Sequence, residues 1–307
     1  MPRSAVLRGC VDARDRAKAR RRRDRRPSEV IGPYHRLDAW LAASPYRDLR
    51  VHDLRRLDVA LFLRRTDAIE LLPAERLRQL AIFLEGRHSS FEAEAVDRVY
   101  QAALRLAPKD LVVWHSRGVT AKAFAYGLSS SPAREKLKRR ARHCLERAWN
   151  LDPTDAWSAY SLGKWHYDFA SDTLEALRWF EEAVRLDPAY GLARLFCAHA
   201  LHDLERWGDA VDAYEAVPLN AFDGPRVWRI DHLLECLAHC RLRAGDHAGA
   251  ARDFLRLLDR LEKEPRKAHM LSLHMLEAAA EGPLWASIWP RYQIVASAPA
   301  FRKVRGG

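Results

Sequence analysis

Small and apolar residues recur at helical spacing in two stretches of the segment Asp152–Pro188. Their spacings of three and four residues place them on one stripe of each helix. A hairpin of this length needs neighbours to bury both of its faces. The segment therefore predicts two antiparallel helices that approach closely through small residues, with Phe180 filling the space between them. The stripe residues are Ala159, Leu162, Gly163 and His166 in the first helix and Ala176, Phe180, Ala183 and Val184 in the second.

Each predicted helix has its own start signal. Asp152 is the expected N-cap of the first helix, and Pro153 suits the first helical position because its missing N–H needs no partner there. Asp172 and Glu175 have the spacing of a capping box at the start of the second helix.

The packing pattern of this segment occurs elsewhere in the chain. It consists of a small residue, an aromatic residue or leucine four positions later, a small residue three positions further, and a proline five positions beyond that. Two copies are complete and three are looser. The complete copies consist of Ala141, Leu145, Ala148 and Pro153, and of Ala176, Phe180, Ala183 and Pro188. The looser copies consist of Val96, Tyr100, Ala103 and Pro108, of Ala210, Tyr214 and Val217, and of Ala250, Phe254 and Leu257.

This pattern resembles the tetratricopeptide repeat, a helix-turn-helix unit of about 34 residues. The resemblance covers Pro73 to Glu264 and implies an all-α fold, a right-handed α-solenoid of about five repeats with N- and C-terminal helical caps. The expected domains are residues 1–33 as a basic disordered arm and linker, 34–72 as an N-terminal helical cap, 73–264 as the repeats, and 265–307 as a C-terminal capping helix and tail.

Two departures from regular spacing predict insertions. Successive prolines are 35 residues apart from Pro153 to Pro188 but 45 apart from Pro108 to Pro153. We expect the extra residues, near Leu128–Lys138, to lengthen a turn as a surface loop. The basic run that follows should point its charges to the outside, either as a solvated face or as a second basic contact. The residues of this basic run are Arg134, Lys136, Lys138, Arg139, Arg140 and Arg142. A further insertion is expected at Asn220–Arg229.

Positive charge is concentrated at the N-terminus. The chain has a net charge of +11, and Arg14–Arg26 has nine basic residues against Asp15 and Asp24. Such a run stays solvated and favours contact with nucleic acid or an acidic partner. Alternatively, it reflects the codon usage of a GC-rich genome, since arginine outnumbers lysine 43 to 9 across the chain. The candidate contact residues are Arg20, Arg21, Arg22, Arg23, Arg25 and Arg26.

The cysteines and the hydropathy pattern indicate a compartment. Five cysteines form no CxxC pair, and neither a signal peptide nor a membrane span is predicted. We therefore expect a cytoplasmic protein with reduced thiols and without a disulfide framework.

The sequence offers little catalytic or metal-binding chemistry. No nucleophile elbow, phosphate-binding loop or zinc-protease motif is present, so we expect no enzyme activity and no cofactor. The histidines and cysteines on one predicted helix have chelating spacing, with His199 or Cys197 as a donor from the preceding helix. Buried packing is the favoured interpretation, so no metal site is predicted. The helix carries His232, Cys236, His239 and Cys240.

In the family that the chain resembles, the first helix of each repeat lines a concave groove. Chaperone-binding members hold a peptide carboxylate with Lys and Asn side chains, and here Lys164 alone resembles part of that set. One interpretation is that the histidines that line this groove gain positive charge as pH falls from about 7.5 to 5.5. The other is that they only fill polar positions. The groove residues are His115, Lys122, Trp157, Tyr160, Lys164, Tyr167, His199, His202, His232, Glu235 and His239.

These features predict a noncatalytic adaptor or scaffold that binds a peptide or helix of a protein partner, with an acidic segment as one option. The alternative is a nucleic-acid-associated factor that uses the Arg-rich arm, with the repeats as scaffold. The oligomeric state is left open by the sequence.

Overall fold

A computed structural model describes residue 69 and residues 72–85, 92–222, 226–263 and 282–297. Regular structure within these residues is helical, which confirms the predicted all-α fold class. The α-helices are α1 Ala74–Glu85, α2 Ala93–Leu106, α3 Leu111–Tyr126, α4 Pro132–Leu151, α5 Ala156–Trp165, α6 Thr173–Leu186, α7 Gly191–Asp203, α8 Trp207–Glu215, α9 Trp228–Arg243, α10 His247–Lys263 and α11 Pro283–Ser297. A π-helical segment, His166–Ala170, follows α5, and a 3₁₀ turn, Leu219–Ala221, follows α8.

The chain divides into two compact units between Trp165 and His166. The first unit contains α1 to α5, and the second contains the π-helical segment and α6 to α11. The Asp152–Pro188 segment therefore contributes one helix to each unit.

The repeat positions that the sequence identified are core positions. Apart from the prolines, all of them are at most 4% exposed, as expected for residues that pack one helix of a pair against the next. The pattern thus identifies the packing face of the second helix in each pair. The buried residues are Val96, Tyr100, Ala103, Ala141, Leu145, Ala148, Ala176, Phe180, Ala183, Ala210, Tyr214, Val217, Ala250, Phe254 and Leu257.

Tyr100 joins three helices of the first unit. Its hydroxyl group donates to the carbonyl oxygen of Ala81 at 2.9 Å and lies 2.8 Å from Oγ1 of Thr120. The residue is 1% exposed, and these two polar partners satisfy its buried hydroxyl group. This tyrosine fixes α2 against α1 and α3.

Helices α3 and α4 approach closely at Gly118. A Cβ atom at this position would lie 2.7 Å from Cγ of Leu145 and 3.2 Å from the carbonyl oxygen of Ala141. Only a hydrogen atom fits there without movement of α4.

We expect Gly118→Ala to lower the free energy of unfolding by about 1–2 kcal/mol, because overpacking outweighs the gain in helix propensity. Gly208→Ala is the matched control, since nothing lies within 4 Å of the added methyl group in α8. It should stabilise by up to about 1 kcal/mol. Thermal denaturation of both variants measures these opposite signs, and equal melting temperatures would contradict the close approach.

One predicted helix start is confirmed and the other is wrong. Oδ1 of Asp172 accepts from the backbone N–H of Glu175 at 3.1 Å and caps α6. Asp152 does not cap α5, because its carboxylate accepts from Thr154 in the turn before that helix. Asp155 takes this role by accepting from the N–H of Ser158 at 2.8 Å.

The expected loop near Leu128–Lys138 is also not observed. The connection between α3 and α4 is short, and α4 begins at Pro132 and continues for 20 residues. Ser131 caps this helix by accepting from the N–H of Arg134 at 3.2 Å. The extra residues lengthen helices instead of forming a loop.

The basic run on α4 does not point entirely outward. Lys136 and Arg142 form exposed ion pairs with Glu94 and Glu146. Arg140, in contrast, has a side chain only 15% exposed, and its Nη1 lies 3.3 Å from the Asp97 carboxylate. The expectation of an outward-facing run is therefore wrong for Arg140.

Aromatic residues of α11 cover the last helix pair. Trp285 is 1% exposed, and its ring centroid lies 5.7 Å from that of Phe254 on α10. Trp289 and Tyr292 contact the same phenylalanine. The aromatic residues near the C-terminus thus seal the core of α9 and α10, as the sequence suggested.

The basic arm and the N-terminal cap up to residue 68 lie outside the described residues, as do residues 264–281. None of the helices that the structure describes is long and apolar enough to cross a lipid bilayer.

Candidate functional site

A partly exposed stripe of aromatic and basic side chains lies along one face of α5. Trp157, Tyr160 and Lys164 are spaced by three and four residues, which places them on one helix face. Lys122 of α3 is also partly exposed, and its charge acts on His115, whose ring lies against Trp157. We call these four residues the α5 face.

The ring of Trp157 packs against the imidazole ring of His115. Its centroid lies 3.4 Å from that of His115, and the two ring planes are inclined by 34°. His115 is itself fixed, because its Nε2 lies 2.7 Å from Oγ of Ser161. The tryptophan is therefore a rigid part of the α5 face.

His115 supports this face from the core. Its side chain is fully buried, and burial, with a smaller contribution from the charge of Lys122, lowers its pKa to about 3. The prediction that this histidine gains charge between pH 7.5 and 5.5 is therefore wrong.

The lowered pKa predicts an acid sensitivity of the first unit. The unfolded chain binds a proton at His115 below pH about 6.5, whereas the folded chain does so only near pH 3, so stability is lost across this window as pH falls. Between pH 7.5 and 5.5 the loss from this residue should be about 1.4 kcal/mol. Urea unfolding of the wild type and His115→Gln at both pH values measures it. An equal pH dependence in the two proteins would contradict the assignment.

The remaining predicted groove histidines lie in the second unit, on α7 and α9, and they are buried. His199, His202, His232 and His239 are 6–9% exposed, and Glu235 is fully buried. Residue spacing places these side chains on helix faces, but it does not reveal that they pack against other side chains.

Two of these histidines form a pair with an acidic neighbour. Nε2 of His202 lies 3.0 Å from Nδ1 of His239, and Nδ1 of His202 lies 3.1 Å from Oδ1 of Asp203. Trp207 contacts both imidazole rings edge-on. The hydroxyl group of Tyr167, which is partly exposed, donates to Asp203 as well.

The other two histidines, His199 and His232, lie close to Cys236. One ligand atom from each of His199, His232 and Cys236 lies within 4.8 Å of the others, and all three side chains are buried. These residues could hold a metal ion, although the sequence interpretation favoured simple packing. His232 also contacts Glu235 at 3.2 Å. Burial alone would lower the pKa of His232, but the neighbouring Cys236 and Glu235 raise it well above its usual value.

The cysteines that the structure describes are free thiols buried in helix packing. They are Cys144 in the first unit and Cys197, Cys236 and Cys240 in the second. Burial raises the pKa of Cys144 to about 11 and that of Cys197 to about 12. The thiolate forms of Cys144 and Cys197 are therefore scarce at neutral pH.

Six arginines were predicted to contact nucleic acid or an acidic partner. They lie outside the described residues, so the structure gives no geometry for this contact. They are Arg20, Arg21, Arg22, Arg23, Arg25 and Arg26.

Comparison with known proteins supports the repeat pattern. Residues 170–230 match the family model described as tetratricopeptide repeat. No curated protein matches the chain. The match identifies a tetratricopeptide repeat within residues 170–230, in agreement with the sequence prediction for this part of the chain.

Solved structures of repeat proteins are similar to the chain. PilW, described as a widely conserved type IV pilus biogenesis factor, aligns with a TM-score of 0.51 and 16% identity over 75% of this chain and 97% of its own. MamA aligns with a TM-score of 0.48 and 16% identity over 62% of this chain and 93% of its own. A thermophilic repeat protein of Thermus thermophilus has a TM-score of 0.44, with 15% identity over 64% of this chain and 95% of its own. The PilW alignment supports the fold alone.

Proposed function

We propose that the protein is a noncatalytic adaptor whose α5 face binds an acidic peptide or helix of a partner protein. The observation that carries this proposal is the stripe of Trp157, Tyr160 and Lys164, partly exposed on one helix of a repeat fold whose members mediate protein–protein interaction.

The aromatic residues would supply most of the binding free energy. Trp and Tyr are enriched among the residues whose truncation weakens protein interfaces most. Trp157 is already stacked on His115, so little side-chain entropy would be lost when a partner covers it. Preorganisation of this kind increases affinity without adding contacts.

The lysines would select the charge of the partner. Lys122 and Lys164 are partly exposed on the α5 face, and their ammonium groups favour a segment with carboxylates. Attraction of this type raises the association rate and weakens as salt is added. An acidic segment with an apolar side chain next to its carboxylates therefore fits the α5 face best.

The buried free thiols suit a reducing compartment, and we propose the cytosol as the place where this adaptor acts.

Affinity capture from cell extract tests the proposal, with the full chain as bait and mass spectrometry as readout. The double variant Trp157→Ala/Lys164→Glu should lose the partner that the wild type captures. Lys109→Glu is the matched control, since it reverses the charge of an exposed lysine in the turn between α2 and α3.

The captured partner then allows a direct measurement. Its acidic segment should bind Trp157→Ala with an affinity lower by at least about 2 kcal/mol, as for a central aromatic residue of an interface. Capture that is unchanged in the double variant, or lost equally in the control, would contradict binding at the α5 face.

A further inference from the structure

We propose that His199, His232 and Cys236 form a binding site for a zinc-class transition metal ion that joins α7 to α9. The three side chains are buried, and one ligand atom from each lies within 4.8 Å of the others. The site belongs to the second unit alone and is independent of the α5 face.

The helix geometry brings the three ligands together. His232 and Cys236 are four residues apart on α9, so their side chains lie on the same face, one turn apart. His199 comes from α7, and its ring centroid lies 5.1 Å from that of His232. Two neighbouring helices therefore supply one imidazole–thiol pair and one further imidazole.

The His232–Cys236 separation is close to that of an occupied site, and the three ligand atoms lie within 4.8 Å of one another. Zinc binds sulfur at about 2.3 Å and imidazole nitrogen at about 2.0–2.1 Å, so tetrahedral neighbours lie roughly 3.3–3.6 Å apart. Sγ of Cys236 lies 3.8 Å from Nε2 and 3.9 Å from Nδ1 of His232. A small contraction of this pair, together with rotation of the His232 ring, would direct Nε2 to a shared metal ion.

Both histidines have the outer hydrogen bonds that orient metal-binding imidazoles. Nδ1 of His199 lies 2.6 Å from the hydroxyl group of Tyr214. Nδ1 of His232 lies 3.2 Å from Oε2 of Glu235. When a metal ion replaces the proton on Nε2 of His232, Nδ1 can still donate to Glu235 and hold the ring in place.

The charges balance when a divalent ion is bound. A thiolate at Cys236 and a carboxylate at Glu235 together offset two positive charges, with both histidines neutral. Glu235 is fully buried, where an uncompensated charge would be costly. An imidazole and thiolate donor set favours zinc or monovalent copper over magnesium or calcium. Three protein ligands leave a fourth position for a water molecule.

Metal binding is tested with the full chain, untagged, reduced and freed of metal by a chelator. Titration with Zn²⁺ should show one tightly bound equivalent, and Co²⁺ should produce a thiolate-to-cobalt charge-transfer band. Cys236→Ser should abolish the band and reduce zinc affinity more than 100-fold. Cys240→Ser is the matched control, because this thiol is also buried on α9 but lies outside the three-residue cluster; it should bind as the wild type does.

Tyr214→Phe tests the positioning of His199. It keeps the ring that packs in the core and removes only the hydroxyl group, so zinc affinity should fall by about 10–100-fold, as for other outer-shell partners. Circular dichroism of each metal-free variant establishes that it is folded. Should Cys236→Ser fail to fold, His232→Gln serves as the second ligand variant. No stoichiometric binding by the wild type, or equal binding by the Cys236 and Cys240 variants, would overturn the proposal.

Discussion

Phe180→Ala is expected to lower the free energy of unfolding of the second unit by about 3–5 kcal/mol. Phe180 is fully buried at the centre of an aromatic cluster, where its ring centroid lies 5.5 Å from that of Phe196 and 6.2 Å from that of Tyr167. Truncation loses the transfer free energy of the ring and leaves a cavity whose walls collapse only in part. A loss of this size is a large fraction of the stability of a typical domain.

Leu174→Ala is the matched control for this variant. Leu174 lies on the same helix, α6, but is 52% exposed, so its truncation should change stability by less than about 0.5 kcal/mol. Urea unfolding followed by circular dichroism measures both variants. A midpoint for Phe180→Ala that matches the control would show that the ring does not occupy the core.

Asp97→Ala is expected to destabilise the first unit by about 3 kcal/mol, because it removes the carboxylate from a largely buried ion network. Asp97 accepts from Nε and Nη2 of Arg117 at 2.8 and 3.1 Å, and from Gln101 at 2.6 Å. Arg140 lies 3.3 Å away. The two arginine side chains are 16% and 15% exposed and would lose their shared partner.

A double-mutant cycle separates this network from simple loss of packing. Asp97→Ala/Arg117→Ala should cost less than the sum of the two single variants, because the second change removes a charge that the first left unpaired. Glu94→Ala is the control, since Glu94 also contacts Arg140 but is 63% exposed; it should change stability by less than about 0.5 kcal/mol. Strict additivity in the cycle would contradict the network.

Periodicity alone was sufficient to predict the helix pairs. The core positions of a repeat must recur at fixed spacing, so Ala176, Phe180 and Ala183 reveal their burial before any coordinates are known. Local details were harder to predict. Proline spacing shows that residues are inserted before Pro153 but not whether they extend a helix or a turn. Asp152 and Asp155 are equally good capping residues, and only the hydrogen bonds distinguish them.

Residue spacing indicates which side chains share a helix face, but it does not indicate whether that face is exposed or buried. Histidine occurs both on exposed surfaces and in cores where its ring nitrogens have hydrogen-bond partners. The sequence alone therefore could not show whether His199 and His232 are exposed or buried. Trp157 and Lys164 lie on a face that is partly exposed. The cluster of His199 with Cys236 depends on the packing of two helices that are distant in sequence, and the sequence suggested it only as a minor alternative.

Each unit contains buried thiols whose rate of chemical labelling depends on how often that unit opens locally. Cys144 lies in the first unit, and Cys197 and Cys240 lie in the second. A thiol-reactive dye modifies the thiolate form, which burial suppresses at these positions, so labelling proceeds through transient exposure. Mass spectrometry of peptides after brief labelling would therefore yield separate opening rates for the two halves of the chain from one sample, without any introduced probe.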